Sequence, residues 1–145
     1  MQMERAFLRY TLLAVLFAAG GNLQAQTNAA QVARGKYLVE GVAGCGDCNT
    51  PFTEKGEPDG TRWLQGSPLG FQPIQPMPMW AKVALPIAGL PAGWTEAHMV
   101  KFLQTGMGPD NKPRRPPMPQ YRLNQADAAA VAAYLKSLQP AGKPQ

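Results

Sequence analysis

The chain is poor in the residues that most often bind metals or act as nucleophiles. Among its 145 residues there is one histidine, His98, and there are two cysteines, Cys45 and Cys48. A structural zinc site normally takes four ligands, so this set is too small to form one. No glycine-rich loop opens a helix as in a phosphate-binding site, and no serine or cysteine is paired with a base. We therefore expect no enzymatic activity from the chain acting alone.

Long apolar runs are also lacking. Arg5 and Arg9 precede the short run from Leu12 to Ala19, and a small residue suited to cleavage follows, a pattern typical of an export signal. This run is far shorter than the roughly 20 residues of a membrane-spanning helix, and no later run is long enough either. The sequence predicts a signal peptide over residues 1–25 and a mature domain over residues 26–145. We expect the mature protein in the periplasm or the medium, without a membrane span.

The charge balance is mildly basic. The formal net charge is +5, and it falls to +4 without residues 1–25, which hold two arginines and one glutamate. Such an excess suits docking on an acidic protein patch, and it is too small and scattered to indicate nucleic-acid binding. Removing the first 25 of the 145 residues leaves 120. A domain of that size has a modest hydrophobic core, and a covalent cross-link or a cofactor usually adds to its stability.

Helical periodicity appears in three segments, and no segment shows convincing strand alternation. The first runs from about Ala29 to Val42, directly before the cysteines. The second follows Thr95 as N-cap and stops at Gly106, and the third begins at Asn124. The pattern predicts an all-α fold with three helices.

Two long connections hold nearly all of the prolines. They run from Thr50 to Trp94 and from Met107 to Leu123. Structureless connections of this length are uncommon in a compact domain unless they pack on something other than themselves. A flat, apolar, rigid prosthetic group is such a surface.

The cysteines lie in the segment Cys45-Gly46-Asp47-Cys48-Asn49. In an exported protein, Cys-x-x-Cys-His marks the attachment of a c-type haem, because two thioethers fix the porphyrin and the adjacent histidine binds its iron. Asparagine stands here in the place of that histidine, and its amide is not among the usual axial donors. His98 lies in the first turn of the second helix, where we expect a solvent-facing residue and not a substitute ligand.

The chain resembles the class I cytochrome c family over nearly all of its mature length. Residues 34–38, which include Gly35, resemble the first helix of that family. Residues 131–136 resemble its last helix, with Tyr134 and Leu135 as the contact pair. A glycine at this crossing removes the side chain that would hold two helix axes apart. The resemblance implies an all-α, cytochrome c-like three-helix domain with long Pro/Gly-rich loops.

The resemblance also implies a set of haem ligands. Cys45 and Cys48 would form the thioethers, and Met118 matches the distal iron ligand on a proline-rich loop. Prolines reduce the freedom of such a loop, so the thioether is held with little further ordering cost. Core filling is the alternative role for Met118. Met77 and Met79 are further candidates, for which packing against a ring edge is the simpler role.

Several other side chains are candidates for the haem pocket. Trp63 and Tyr121 are expected to line it. Arg62, Trp63, Arg114 and Arg115 are candidate donors to the haem propionates, because guanidinium and indole N–H groups suit carboxylates. Solvated surface charge is the alternative for Arg114 and Arg115.

Asn49 leaves three interpretations open. In the first, the protein is a periplasmic single-electron carrier with one covalent haem c, with Met118 on one side of the iron and Asn49, water or nothing on the other. Its partner would be a redox protein such as a periplasmic dehydrogenase or oxidase. In the second, it is a haem-free binding or accessory module of a periplasmic redox complex. The electron carrier is the function that the sequence favours.

The third interpretation makes Cys45 and Cys48 a redox-active dithiol pair. A thioredoxin-type pair lies at a helix N-terminus in a βαβ setting. Here the pair follows the C-terminal end of a helix, where the dipole disfavours a thiolate. Without haem, a plain disulfide between Cys45 and Cys48 is the form expected in an oxidising compartment.

Overall fold

The structure is a computed structural model that describes residue 26, residues 28–138 and residue 140. The predicted signal over residues 1–25 lies outside this part of the chain. The described helices are α1 (28–37), which continues as a π-helical turn Leu38–Val42, then α2 (Cys45–Asn49), α3 (Glu96–Thr105) and α4 (Gln125–Ser137). A 3-10 turn spans Gly60–Arg62, and strands β1 (Ser67–Pro68) and β2 (Val83–Ala84) form a two-stranded antiparallel sheet. The predicted all-α fold is confirmed, because the sheet has only two residues in each strand.

Over the described residues, none of the helices combines the length and the apolar character needed to cross a membrane.

α3 and α4 begin where the sequence predicts. The Thr95 hydroxyl accepts from the backbone N–H of His98, and His98 Nδ1 accepts from the backbone N–H of Thr95, both at 3.2 Å. Gly106 ends α3 in the left-handed conformation with φ of 75°. Asn124 caps α4 by accepting from the backbone N–H of Asp127 at 2.8 Å. His98, expected to face solvent, is half-buried and acts as a capping residue.

The crossing of α1 and α4 is as close as the sequence predicts. A Cβ atom on Gly35 would overlap the carbonyl oxygen of Ala130 and lie 2.8 Å from the Cβ of Tyr134. An ion pair of 2.9 Å between Arg34 and Asp127 lies beside the crossing. Only a residue without a side chain allows the backbones to approach so closely.

The core lies mainly between α3 and α4, with the π-helical turn packed against it. Its larger buried apolar side chains come from α3, from α4, from the π-helical turn and from Leu64: Leu38, Val39, Leu64, Met99, Phe102, Leu103, Val131, Tyr134 and Leu135. Backbone hydrogen bonds tie the connections to this core, because Leu123 N–H donates to Leu103 O at 3.0 Å and Gly89 N–H to Leu135 O at 2.8 Å.

The two long connections pack on each other. The backbone N–H of Leu69 donates to Lys82 O at 2.9 Å, so residues 67–84 form a long hairpin around the small sheet. Residues 107–123, which we call the methionine loop, lie against the hairpin. The Arg115 guanidinium donates to the carbonyl oxygens of Met79 and Trp80 at 2.9 and 3.1 Å. The connections thus have structure of their own, which the sequence did not reveal.

The crossing generates a stability prediction. We expect Gly35→Ala to lower the free energy of unfolding by about 1–3 kcal/mol, because the added methyl group meets the backbone of α4. Urea denaturation of the full chain would measure it.

Gly41→Ala is the matched control. A Cβ there would make ordinary contact with the Tyr37 ring at 3.5 Å, so the change should be neutral or slightly stabilising. Equal effects of the two substitutions would contradict the close crossing.

Candidate haem site

The two cysteines lie on the short helix α2. Cys45 is its first residue and Cys48 is three residues later, so the two side chains are neighbours on the helix surface. Both are free and half-buried. Gly44 precedes them in the left-handed conformation, with φ of 58°, and this turn separates α2 from the π-helical turn. The backbone therefore presents two thiols side by side.

Burial and one phenol dominate the chemistry of Cys45. Burial raises the pKa of the Cys45 thiol to about 11, and a hydrogen bond with the Tyr121 hydroxyl acts in the opposite sense. The same hydroxyl donates to Ala43 O at 2.9 Å, and burial raises the pKa of Tyr121 to about 12. At neutral pH Cys45 is a protonated thiol, which is the reverse of the low-pKa cysteine of a dithiol oxidoreductase. Tyr121, which the sequence predicts to line the haem pocket, lies beside Cys45.

Trp63 packs directly on α2. A Cβ on Gly46, between the two cysteines, would overlap the Trp63 ring and lie 2.6 Å from its Cζ3 atom, so the indole is in contact with the helix backbone. Its Nε1–H donates to the Tyr134 hydroxyl at 3.3 Å, and that hydroxyl donates to Glu40 at 2.8 Å. The indole N–H considered for a propionate thus has a partner within the protein. Arg62, the neighbouring candidate, pairs with the Asp59 carboxylate at 2.7 Å.

Asn49 is held at two points by the residues that flank the sheet. Its side-chain Nδ2–H donates to Leu85 O at 2.8 Å, and its backbone oxygen accepts from Gly66 N–H at 2.7 Å. Leu85 directly follows β2, and Gly66 directly precedes β1. The sheet therefore fixes the residue that stands where the family places its proximal histidine.

Met118 lies in the methionine loop between two anchors. On one side, the Arg115 guanidinium binds the hairpin, and the Arg115 carbonyl oxygen accepts from the backbone N–H of Met118 at 3.2 Å. On the other side, Tyr121 binds Ala43 beside the cysteines. The Met118 side chain is 36% exposed, and those of Met77 and Met79 are more exposed. Of the three candidate methionines, Met118 is the one on the segment that is tied directly to the cysteine region.

The hairpin and the methionine loop carry many exposed apolar side chains. Ile74 is 98% exposed, and further large apolar side chains of these two segments are exposed as well: Phe71, Met77, Met79, Val83, Met107 and Met118. Exposed apolar side chains that form a contiguous patch usually mark a binding site.

Two buried donors on the same segments lack an acceptor within the described residues. They are Nε1 of Trp80 in the hairpin and Nε of Arg114 in the methionine loop. Buried polar atoms normally have a partner, so each indicates an acceptor that this part of the chain does not supply. Indole and guanidinium N–H groups suit carboxylates such as haem propionates. With two thiols and an apolar surface, the donor set fits a haem.

The structure separates two arginines that the sequence could not rank. The Nε of Arg114 has no acceptor among the residues that the structure describes, while the Arg115 guanidinium is used on backbone carbonyls of the hairpin. Trp80 ends the run of residues 75–80, in which the sequence points only to Met77 and Met79.

The raised pKa of Cys45 generates a labelling prediction. In haem-free Cys48→Ser protein, only Cys45 can react with iodoacetamide, and its rate should rise with pH up to about pH 11. At pH 8 the folded protein should react about 100-fold more slowly than the urea-unfolded chain, in which the thiol has its ordinary pKa. Mass spectrometry would follow the labelling. A plateau near pH 9 in the folded protein would contradict the buried, protonated thiol.

Comparisons with known proteins show the family of the chain. The family model described as Cytochrome c matches residues 32–139. The chain is 32% identical over 108 residues to a protein of Cereibacter sphaeroides named diheme cytochrome c-type, an alignment that covers 71% of this chain and 34% of that protein. It is 28% identical over 114 residues to the fructose dehydrogenase cytochrome subunit of Gluconobacter japonicus, covering 72% of this chain and 21% of the relative. It is 30% identical over 122 residues to a nicotinate dehydrogenase subunit of Pseudomonas putida, covering 80% of this chain and 10% of the relative.

The chain spans about a third or less of the length of these relatives. The family match nevertheless covers most of the chain and includes α2, the hairpin, the methionine loop and α4. The protein belongs to the cytochrome c family as a class I c-type cytochrome, a redox protein of the kind that carries covalent haem c.

Proposed function

We propose that the protein is a single-electron carrier that is exported to the periplasm and binds one covalent haem c through Cys45 and Cys48. One observation carries the proposal: two free thiols adjacent on α2 occur together with two buried donors that lack an acceptor among the described residues. The thiols suit covalent attachment, and the donors, Trp80 Nε1 and Arg114 Nε, suit the propionates. An electron carrier exchanges electrons through the haem edge and needs no substrate pocket.

Bound haem supplies a metal centre that changes its charge by one electron. The residues of the chain hold and orient it. Cys45 and Cys48 provide two attachment points on one helix, and Trp63 keeps that helix in place. Met118 is the proposed distal ligand. Trp80 Nε1 and Arg114 Nε, which lack an acceptor among the described residues, would donate to the haem carboxylates and so limit its rotation.

The same residues limit the structural change that accompanies electron transfer. The methionine loop is anchored to the hairpin by Arg115 and to the cysteine region by Tyr121. Hydrogen bonds that are formed in advance need no rearrangement when charge develops. A rigid, apolar surround therefore favours rapid exchange of a single electron.

The proposed partner is a redox protein, such as a dehydrogenase or an oxidase. Two of the relatives are named as a dehydrogenase cytochrome subunit and a dehydrogenase subunit, which supports a partner of this class. The formal net charge, +4 without residues 1–25, favours an acidic docking surface. Lys82 of the hairpin and Lys112 of the methionine loop are exposed beside the apolar side chains and suit such a surface.

Asn49 favours a second candidate function, that of a haem-free accessory module in a redox complex. Its side-chain amide donates a hydrogen bond to Leu85 O. An amide is not a usual axial ligand to haem iron, so this position lacks the ligand that a haem would need. In that form, Cys45 and Cys48 would be thiols or a disulfide.

The loading experiment distinguishes the two functions. We expect the full chain, expressed together with haem attachment machinery, to show a haem spectrum and a mass increase of one haem, as should Asn49→His. Loading confined to Asn49→His would show that the native chain is the haem-free module. A mass two hydrogen atoms below that of the reduced chain, without haem, would identify the disulfide form.

The distal role of Met118 gives a separate prediction. In the haem-loaded protein, Met118→Ala should lower the reduction potential by on the order of 100 mV, because thioether ligation raises it. Protein-film voltammetry would measure the shift.

Met79→Ala is the matched control, since Met79 lies on the hairpin and is 62% exposed. The reduction potential of the Met79→Ala protein should equal that of the parent protein. A shift of the reduction potential in Met79→Ala alone would show that the distal ligand lies on the hairpin.

A further inference from the structure

The Asn49 side chain reproduces one half of a histidine ligand. Its Nδ2 is the same number of bonds from the backbone as the Nδ1 of a histidine would be. The Leu85 carbonyl accepts from it at 2.8 Å. Iron-ligating histidines characteristically donate their second ring N–H to a carbonyl or a carboxylate, which fixes the orientation of the ring. The orienting acceptor of such a ligand is therefore present in this chain.

The other half of that ligand is missing from the side chain. An imidazole continues beyond Nδ1 through Cε1 to Nε2, the nitrogen that would face a metal, whereas the asparagine amide ends two atoms sooner. One of its two amide N–H bonds is used on Leu85, so the Oδ1 atom and the second N–H are left to face a neighbouring group. The deficit at this position is two heavy atoms.

The surrounding structure keeps Asn49 from moving to fill this deficit. Its backbone oxygen accepts from Gly66, and a Cβ on Gly66 would lie 3.0 Å from Ala84 O and from Pro86. The residues on both sides of the sheet thus lie against one another and against Asn49. Asn49 is bound to Leu85 after β2 through its side chain and to Gly66 before β1 through its backbone. It cannot move by the length of two atoms without breaking these hydrogen bonds.

We propose that the Asn49 side of the haem is a binding site for neutral or anionic ligands of one or two heavy atoms, such as carbon monoxide or cyanide. This inference rests on the proposed function, because it requires a bound haem. Asn49 is the residue that sets the size limit, and Leu85 holds it in place. The site would give the carrier a ligand-sensing or ligand-inhibited state that a histidine in this position would abolish.

Ligand titrations of the haem-loaded full chain test the proposal. The ferrous protein should bind carbon monoxide and the ferric protein should bind cyanide. The shift of the haem absorption band measures the binding of each ligand. Asn49→His should bind both ligands about 100-fold more weakly, because the introduced imidazole must dissociate from the iron before a ligand can bind. Equal affinities in the two proteins would show that the ligands enter by displacing Met118, and would overturn the proposal.

Imidazole tests the size limit. Asn49→Ala with free imidazole rebuilds the atoms of a histidine, and Leu85 O is available to accept the ring N–H. We expect Asn49→Ala to bind imidazole at least about tenfold more tightly than the parent protein, in which the amide occupies part of the space. The opposite order of affinities, or no difference, would overturn the role assigned to Asn49.

The haem-free chain provides a readout that is independent of loading. Asn49→Asp keeps the shape of the side chain but replaces the donor with a carboxylate facing the Leu85 carbonyl, so its melting temperature should fall. Asn49→His restores an N–H at the same bond distance and should melt near the parent temperature. Equal melting of Asn49→Asp and the parent protein would contradict the Leu85 bond.

The two failures are distinguishable. If the parent chain takes up no haem while Asn49→His does, the proposed function fails and this inference fails with it. If the parent chain takes up haem and its affinities match those of Asn49→His, only the inference fails.

Discussion

The close approach of α1 and α4 at Gly35 is the constraint on which the rest of the structure depends. It brings Tyr134 within reach of the first helix, where the phenol donates to Glu40 and accepts from Trp63. Trp63 in turn packs against Gly46, between the two cysteines. A helix crossing in the core thus determines where α2 lies. The position of the thiols is a consequence of packing some distance away from them.

The helices and their ends could be predicted because their signals are local. Thr95 and Asn124 cap the helices they precede, and Gly106 adopts the positive φ that ends α3. The crossing was predictable from one glycine and its match to a known family. The small sheet was not, because strands of two residues show no alternation, and the backbone bonds that pair them leave no trace in the sequence.

The site was predictable in part for the same reason. The cysteines, Met118 and Tyr121 belong to recognisable segments, and the structure ties the segments of Met118 and Tyr121 to the cysteine region. By contrast, neighbouring arginines look equivalent in a sequence, although Arg114 has a buried nitrogen without a partner among the described residues and Arg115 holds the hairpin. The Leu85 carbonyl that orients Asn49 is a main-chain atom, so no residue type could reveal it.

The hydrogen bond from Tyr121 to Ala43 spans 78 positions in the chain and joins the methionine loop to the cysteine region. One end lies three residues after Met118, and the other lies two residues before Cys45. A displacement of the methionine loop is therefore transmitted to the backbone that carries the thiols, and not absorbed by a free loop. The two sides of the site are mechanically coupled, so a partner that pushes on the methionine loop also acts on the cysteine helix.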